Sequence, residues 1–129
     1  MGLAKEERHV LITAGGVTVE AELNDSETAK AIWDALPIKG RVNTWGEEIY
    51  FYIQLTLQPE SPQELVAMGD VAYWPDGPAL CIFFGPTPAS RGDEIRPASP
   101  VNVFGTVLGD PTTLRQVHDG AEITFTKKE

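Results

Sequence analysis

The chain has few of the residues that usually carry catalytic or metal-binding chemistry. It contains one cysteine, Cys81, and two histidines. A single cysteine excludes an internal disulfide, and its position between Leu80 and Ile82 favours a small buried residue over a nucleophile. Neither His9 nor His118 has Cys, His or carboxylate partners at metal-ligand spacing. No phosphate-binding loop or dinucleotide fingerprint is present either, so the sequence predicts no metal and no cofactor.

Basic charge and long apolar runs are also scarce. Lys and Arg number 10 against 19 Asp and Glu, which gives a net charge of −9. That charge opposes nucleic acids and anionic membrane surfaces as partners. No apolar run approaches the roughly 18 residues of a membrane-spanning helix. The stretch Met1–Arg8 is charged and lacks the apolar core of a signal peptide, so we expect a cytoplasmic protein.

The chain has enough apolar content for one folded domain. Its 129 residues are 42% hydrophobic and 22% charged, values typical of a soluble globular protein. A chain of this length forms one ordinary domain with a real core and is short for two. We therefore predict a single domain over residues 1–129.

The most informative stretch is Gly69–Gly85, which predicts a β-hairpin. Two apolar runs flank Pro75–Pro78, whose proline, aspartate and glycine residues are typical of turns. The second run, Ala79–Phe84, has no polar residue. A strand of this kind is covered on both faces, so Ile82 and Phe83 are predicted to be almost inaccessible.

Apolar residues alternate with polar ones along most of the remaining chain. This period of two predicts strands, and the clearest example is residues 48–57. Helical spacing and capping residues predict α-helices near residues 25–36 and 111–118. The order is two strands, a helix, five strands, a helix and a last strand. So many alternating strands favour a closed, mainly antiparallel barrel of eight strands, with the two helices covering its ends.

Residues 85–100 form a proline-rich loop without periodicity, and long loops in compact domains are often functional. This loop carries Arg91 and Arg96. They are either exposed charges or lid residues that grip a carboxylate or a peptide carbonyl.

The candidate binding residues are aromatic and acidic. Trp45, Tyr73 and Trp74 lie near glycines and turns, where they either close the barrel ends or line an apolar pocket. Glu47 and Glu48 are adjacent and point to opposite faces of a strand. The favoured interpretation is two solvated charges. The alternative is that one of them lies in a groove beside Tyr50 as a general base or hydrogen-bond acceptor.

Four stretches resemble the cyclophilin barrel, most closely an uncharacterised family of prokaryotic cyclophilin-like proteins. They are VNTWGEEIYF (42–51), GDVAYWP (69–75), ALCIFFG (79–85) and PASPVNVFG (97–105). The resemblance implies an eight-stranded cyclophilin-like β-barrel with a helix at each end.

The sequence departs from true cyclophilins at their catalytic positions. Cyclophilins are peptidyl-prolyl isomerases whose catalytic strand carries Phe-His-Arg; the corresponding stretch here, Val42–Trp45, has no arginine. The histidine of their His-Val-Val-Phe-Gly strand is replaced by Asn102. Their proline-pocket phenylalanine falls near Phe83 or Phe84. A fold does not carry its function with it, so the resemblance implies the barrel and leaves isomerase activity in doubt.

Three functions follow as hypotheses. The first is a binding domain that holds a peptide segment or a small molecule without efficient catalysis, in a groove around Trp45, Glu48, Tyr50, Trp74 and Phe84. The second is a weak prolyl isomerase in which Asn43, Thr44 or a loop arginine, Arg91 or Arg96, replaces the missing arginine. The third is a purely structural or assembly role. The missing arginine and histidine favour the first.

Overall fold

The computed structural model describes residues 7–128, so Glu129 and most of the charged stretch Met1–Arg8 lie outside it. The chain forms nine strands in one antiparallel sheet with the order β3-β9-β1-β2-β8-β6-β7-β5-β4. The strands are β1 (Arg8–Ala14), β2 (Val17–Leu23), β3 (Ile38–Arg41), β4 (Asn43–Thr44), β5 (Glu48–Tyr52), β6 (Asp70–Trp74), β7 (Ala79–Phe83), β8 (Asn102–Leu108) and β9 (Glu122–Lys127).

The sheet closes into a barrel because its two edge strands are consecutive in the chain. Only Val42 separates β3 from β4. The Val42 N–H donates to the Ala121 carbonyl at 2.8 Å, and its own carbonyl accepts from the Gly120 N–H at 2.7 Å. The stretch 38–44 is thus one broken strand that pairs with β9 at its start and with β5 at its end. Counted this way, the barrel has the eight strands predicted, in the predicted order.

The central hairpin has the predicted burial. Every residue of β7 is buried, with Ile82 only 1% and Phe83 0% exposed. Alternation places Leu80 and Ile82 in the barrel core. Cys81 and Phe83 point outward, into a second apolar cluster with Ile95 and Val101. An outer cluster of this kind requires a cover, and the long loop supplies it.

The first helix, α1 (Glu27–Ala35), begins at the Ser26 cap, whose hydroxyl accepts the Ala29 N–H at 3.0 Å. It ends at Leu36, whose backbone is extended before Pro37, as the sequence predicts. The second helix was predicted to be α-helical over residues 111–118; it is instead a 3₁₀ helix over Pro111–Gln116. Its last bond, Val117 N–H to Leu114 carbonyl, spans three residues.

Both helices pack against the barrel core, through Ala29 and Ile32 on α1 and through Leu114 on the 3₁₀ helix. None of the helices in residues 7–128 combines the length and the apolar character needed to cross a bilayer.

The alternating stretch 48–57 is a paired strand only as far as Tyr52. Beyond it the side chains still alternate, with Ile53, Leu55 and Leu57 packed against the core. In place of a partner strand, the Tyr73 hydroxyl satisfies two backbone groups of this segment: it accepts the Leu57 N–H at 2.8 Å and donates to the Leu55 carbonyl at 2.9 Å. Tyr73 is therefore a barrel-core residue with a structural role.

Asn102, at the position where cyclophilins carry histidine, has a structural role. Its side chain donates to the Thr28 hydroxyl at 3.1 Å and to the Gln58 carbonyl at 3.0 Å, and it accepts the Glu60 N–H at 2.9 Å. A buried amide stays only where its hydrogen bonds are met. Asn102 therefore ties the segment 58–60 to α1.

Candidate functional site

The candidate site lies on the outer face of the barrel, over β5, β7 and β6. Because side chains alternate along a strand, Glu48 and Tyr50 on β5 point away from the core that holds Ile49 and Phe51. Tyr50 is paired with Cys81 of β7, and Trp74 lies at the end of β6. The rings of Tyr50 and Trp74 meet edge to face, with centroids 6.3 Å apart and planes at 76°.

The end of the long loop lies over this face and is firmly attached. Backbone bonds join Val101 to Gln63 at 2.8 and 3.1 Å, and the Val66 N–H donates to the Ile95 carbonyl at 3.0 Å. The Trp74 indole N–H donates to the Ser99 hydroxyl at 2.6 Å, which donates in turn to Asp76 at 2.6 Å. These bonds fix the loop over the strands.

Between the strands and the loop lies a cavity of about 240 Å³. Its wall consists of three aromatic rings, one carboxyl, one thiol and small loop residues. The lining residues are Trp45, Glu48, Tyr50, Trp74, Cys81, Pro97, Ala98 and Val101. The structure thus brings together Trp45, Glu48, Tyr50 and Trp74, four of the residues that the sequence nominated.

A tight turn positions Trp45 and Glu48. The Trp45 N–H donates to the Glu48 carbonyl at 2.9 Å across the turn, and Gly46 takes a φ of +62°. A Cβ on Gly46 would lie 2.8 Å from Pro88 Cδ and 3.0 Å from Thr87 Cα. Glycine is required there by both backbone angle and space.

Glu48 is buried, and the expectation that it is solvated was wrong. Its residue is 5% exposed, and burial raises the pKa of its carboxyl to about 7, against a smaller lowering by the Cys81 thiol. No ion pair to Glu48 occurs among residues 7–128. The carboxyl is therefore a mixture of neutral and ionised forms near neutral pH.

The Cys81 thiol is buried, as the sequence predicted. It is 1% exposed, and burial, followed by the charge of Glu48, raises its pKa well above the usual value. A protonated, inaccessible thiol is a poor nucleophile. Cys81 contributes wall surface to the cavity.

Four of the other nominated residues also lie outside the cavity lining. Asn43 is on β4 opposite Tyr50, next to the cavity. Phe84 packs into the barrel core, because alternation after Phe83 turns it inward. Arg91 is exposed. Arg96 is held by Glu94, with Nε 2.9 Å from the carboxylate.

The other carboxylate of the predicted pair, Glu47, forms an ion pair. The Arg115 guanidinium donates to both of its oxygens, from Nε at 2.9 and 3.1 Å and from Nη2 at 2.7 Å. This bidentate pair joins the 3₁₀ helix to the turn that precedes β5. Glu47 and Glu48 thus point to opposite sides, as their adjacency predicts.

One group of potential metal ligands lies elsewhere, on the surface of β1 and β2. Ligand atoms of Glu7, His9 and Glu22 lie within 4.8 Å of one another. Sequence spacing did not reveal this group because the strand register, His9 opposite Glu22, brings it together. His9 also contacts Glu20, which accepts from Lys128 at 2.8 Å. These contacts make the group part of a surface ion-pair network.

Sequence reasoning did not identify Pro97, Ala98 and Val101 as lining residues. They carry no chemistry of their own, and only the folded path of the loop brings them over β5 and β7. Their signal in the sequence is indirect: the proline-rich stretch that ends at Pro100 was predicted to be functional.

The comparisons with known proteins agree with this architecture. A family model described as "Cyclophilin-like" matches residues 8–126. The solution structure of a hypothetical protein from Archaeoglobus fulgidus is similar over 99% of this chain and 100% of that one, with 41% identity and a TM-score of 0.82. No curated protein matches. The family match spans nearly the whole chain, and the protein therefore belongs to the cyclophilin-like family.

Proposed function

We propose that this protein is a binding domain that holds a small molecule in the outer-face cavity, without efficient catalysis. The proposal rests on the composition of the cavity wall, which combines three aromatic rings with one buried carboxyl. Small-molecule sites usually combine an apolar concave wall with a few polar groups that fix orientation. Burying a carboxyl costs free energy, and a ligand that uses it repays that cost.

The size of the cavity favours a small molecule over a peptide segment. Pockets for drug-sized ligands are roughly 300–1,000 Å³, and this one is about 240 Å³. That space holds a small molecule or one side chain. A longer peptide would have to lie across the loop, which is held in place by the Ser99 and Val101 bonds.

Binding is expected to show as a saturable change in tryptophan fluorescence. Trp45 and Trp74 line the cavity, whereas Trp33 is on α1 beside Lys127, so Trp33→Phe removes the background signal. The titrants are a panel of neutral, cationic and anionic small molecules and a panel of Xaa-Pro peptides. At least one small molecule is expected to saturate.

A matched pair of variants locates that binding. Ala98 is an exposed lining residue, so Ala98→Phe narrows the cavity without disturbing the core. Ala67→Phe places the same ring on an exposed loop outside the lining. The first variant is expected to abolish the saturable change and the second to retain it. If neither panel gives a response that Ala98→Phe removes, the proposal fails.

Prolyl-isomerase turnover is expected to be at least about a hundredfold below that of a true cyclophilin, because removing a transition-state donor typically costs that much. No arginine, lysine or histidine lines the cavity among the described residues, and Arg96 is held by Glu94. The measurement is a protease-coupled or NMR-exchange assay on Xaa-Pro peptides. Turnover at a cyclophilin's rate, lost in Arg91→Ala or Arg96→Ala, would instead favour the isomerase alternative.

A further inference from the structure

Building on the proposed binding function, we propose that the cavity selects a small organic cation, an ammonium group carried on a short apolar body. The inference rests on a juxtaposition: the Glu48 carboxyl and the rings of Trp45, Tyr50 and Trp74 line the same cavity. A carboxylate attracts a cation by charge, and aromatic faces attract it through their quadrupoles. An apolar body on the ammonium would pack on Pro97 and Val101.

The charges in and around the cavity disfavour anionic and neutral ligands. Among residues 7–128, the lining contains no basic side chain to balance an anion, and the net charge of −9 repels anions at longer range. A neutral ligand would leave the ionised form of the buried Glu48 carboxyl without a charged partner. A cation supplies that partner, which is the usual condition for a buried charge.

Glu48 also predicts how cation binding depends on pH. The titratable groups that face it are the Cys81 thiol on β7 and the Tyr50 phenol on its own strand, and the pKa of each is raised. The pKa of Tyr50 is raised mainly by burial, and then by Tyr52, Glu48 and Asp119. Since the pKa of Glu48 is about 7, a cation that needs the carboxylate binds more tightly as pH rises from 5.5 to 8 and levels off above that.

The test compares choline with 3,3-dimethyl-1-butanol, which has the same shape without the charge. Choline does not itself titrate in this range, so any pH dependence belongs to the protein. In the Trp33→Phe host at pH 8, we expect choline to bind at least about tenfold more tightly than the alcohol. We expect Glu48→Gln to weaken choline binding about tenfold and to remove its pH dependence. The choline–alcohol comparison in the host needs no cavity variant, so it stands even if Glu48→Gln folds poorly.

A second arm separates two sources of the same group. Trimethyllysine, blocked as its N-acetyl amide, presents the ammonium as a peptide would. Tighter binding of trimethyllysine than of choline would favour a modified side chain as the ligand, and tighter binding of choline would favour a free small molecule. Both results support the cation inference.

The outcomes also distinguish this inference from the binding function beneath it. If the alcohol binds as well as choline, or if only neutral or anionic compounds bind and Ala98→Phe blocks them, the cation inference is overturned and the binding function stands. If no compound gives a response that Ala98→Phe removes, both are overturned.

Discussion

Between pH 4 and pH 8, Glu48→Gln is expected to gain about 3 kcal/mol in free energy of unfolding relative to the wild type. The free-energy change follows from the folded-state pKa of about 7, against an ordinary value of 4.5, at about 1.4 kcal/mol for each pKa unit. Well below pH 4.5 the carboxyl is neutral in both the folded and the unfolded state, so it does not change the free energy of unfolding. Between pH 4.5 and about 7 it ionises only in the unfolded state, so the stability of the wild type falls as pH rises. Glutamine does not titrate, so the variant lacks this loss.

Urea unfolding of both proteins at several pH values measures this effect, because contributions from all other groups cancel in the difference. Glu60→Gln is a control with the opposite sign. Hydrogen bonds from the side chain and N–H of Thr28 lower the pKa of Glu60, so its contribution to stability is present at neutral pH and is lost on acidification. A pH-independent difference between Glu48→Gln and the wild type would show that the Glu48 carboxyl is solvated after all.

The barrel could be predicted from the sequence because strand alternation and burial are local signals. Residues 79–84 have no polar member, and that alone predicted that Ile82 and Phe83 are buried. The 3₁₀ geometry of Pro111–Gln116 was not predictable in the same way, since Asp110 and Pro111 start either type of helix. The end of β5 at Tyr52 was not predicted, because the alternation of apolar and polar residues continues to Leu57 although no strand pairs with residues 53–57.

The site was predictable only in part, for a different physical reason. Alternation placed Glu48 and Tyr50 on one face of β5 but could not show whether that face is wet. Coverage comes from Pro97–Val101, a loop some 50 residues later with no periodic pattern. The buried state of Glu48 therefore depends on a long-range contact that no local pattern encodes. Arg96 differs, because its partner Glu94 is only two residues away; the sequence shows this neighbour but not which way the arginine side chain points.

Strand β7 is divided between two apolar clusters. Leu80 and Ile82 belong to the barrel core, and Cys81 and Phe83 to the outer cluster under the loop. The strand is thus shared by the core and the site.

Ile82→Ala is expected to reduce the free energy of unfolding by about 2–5 kcal/mol. Ile82 is 1% exposed, lies between β5 and β6 through its pairing with Ile49 and Val71, and belongs to the core cluster. The deleted atoms therefore leave a cavity that the surrounding strands cannot readily fill, and urea melts at constant pH measure the loss.

Ile82→Val removes one methylene and should cost about 0.5–1.5 kcal/mol. Leu65→Ala, at a position 44% exposed, is the control and should cost less than either. A loss below about half a kcal/mol for Ile82→Ala would mean that β7 is not the central strand of the barrel.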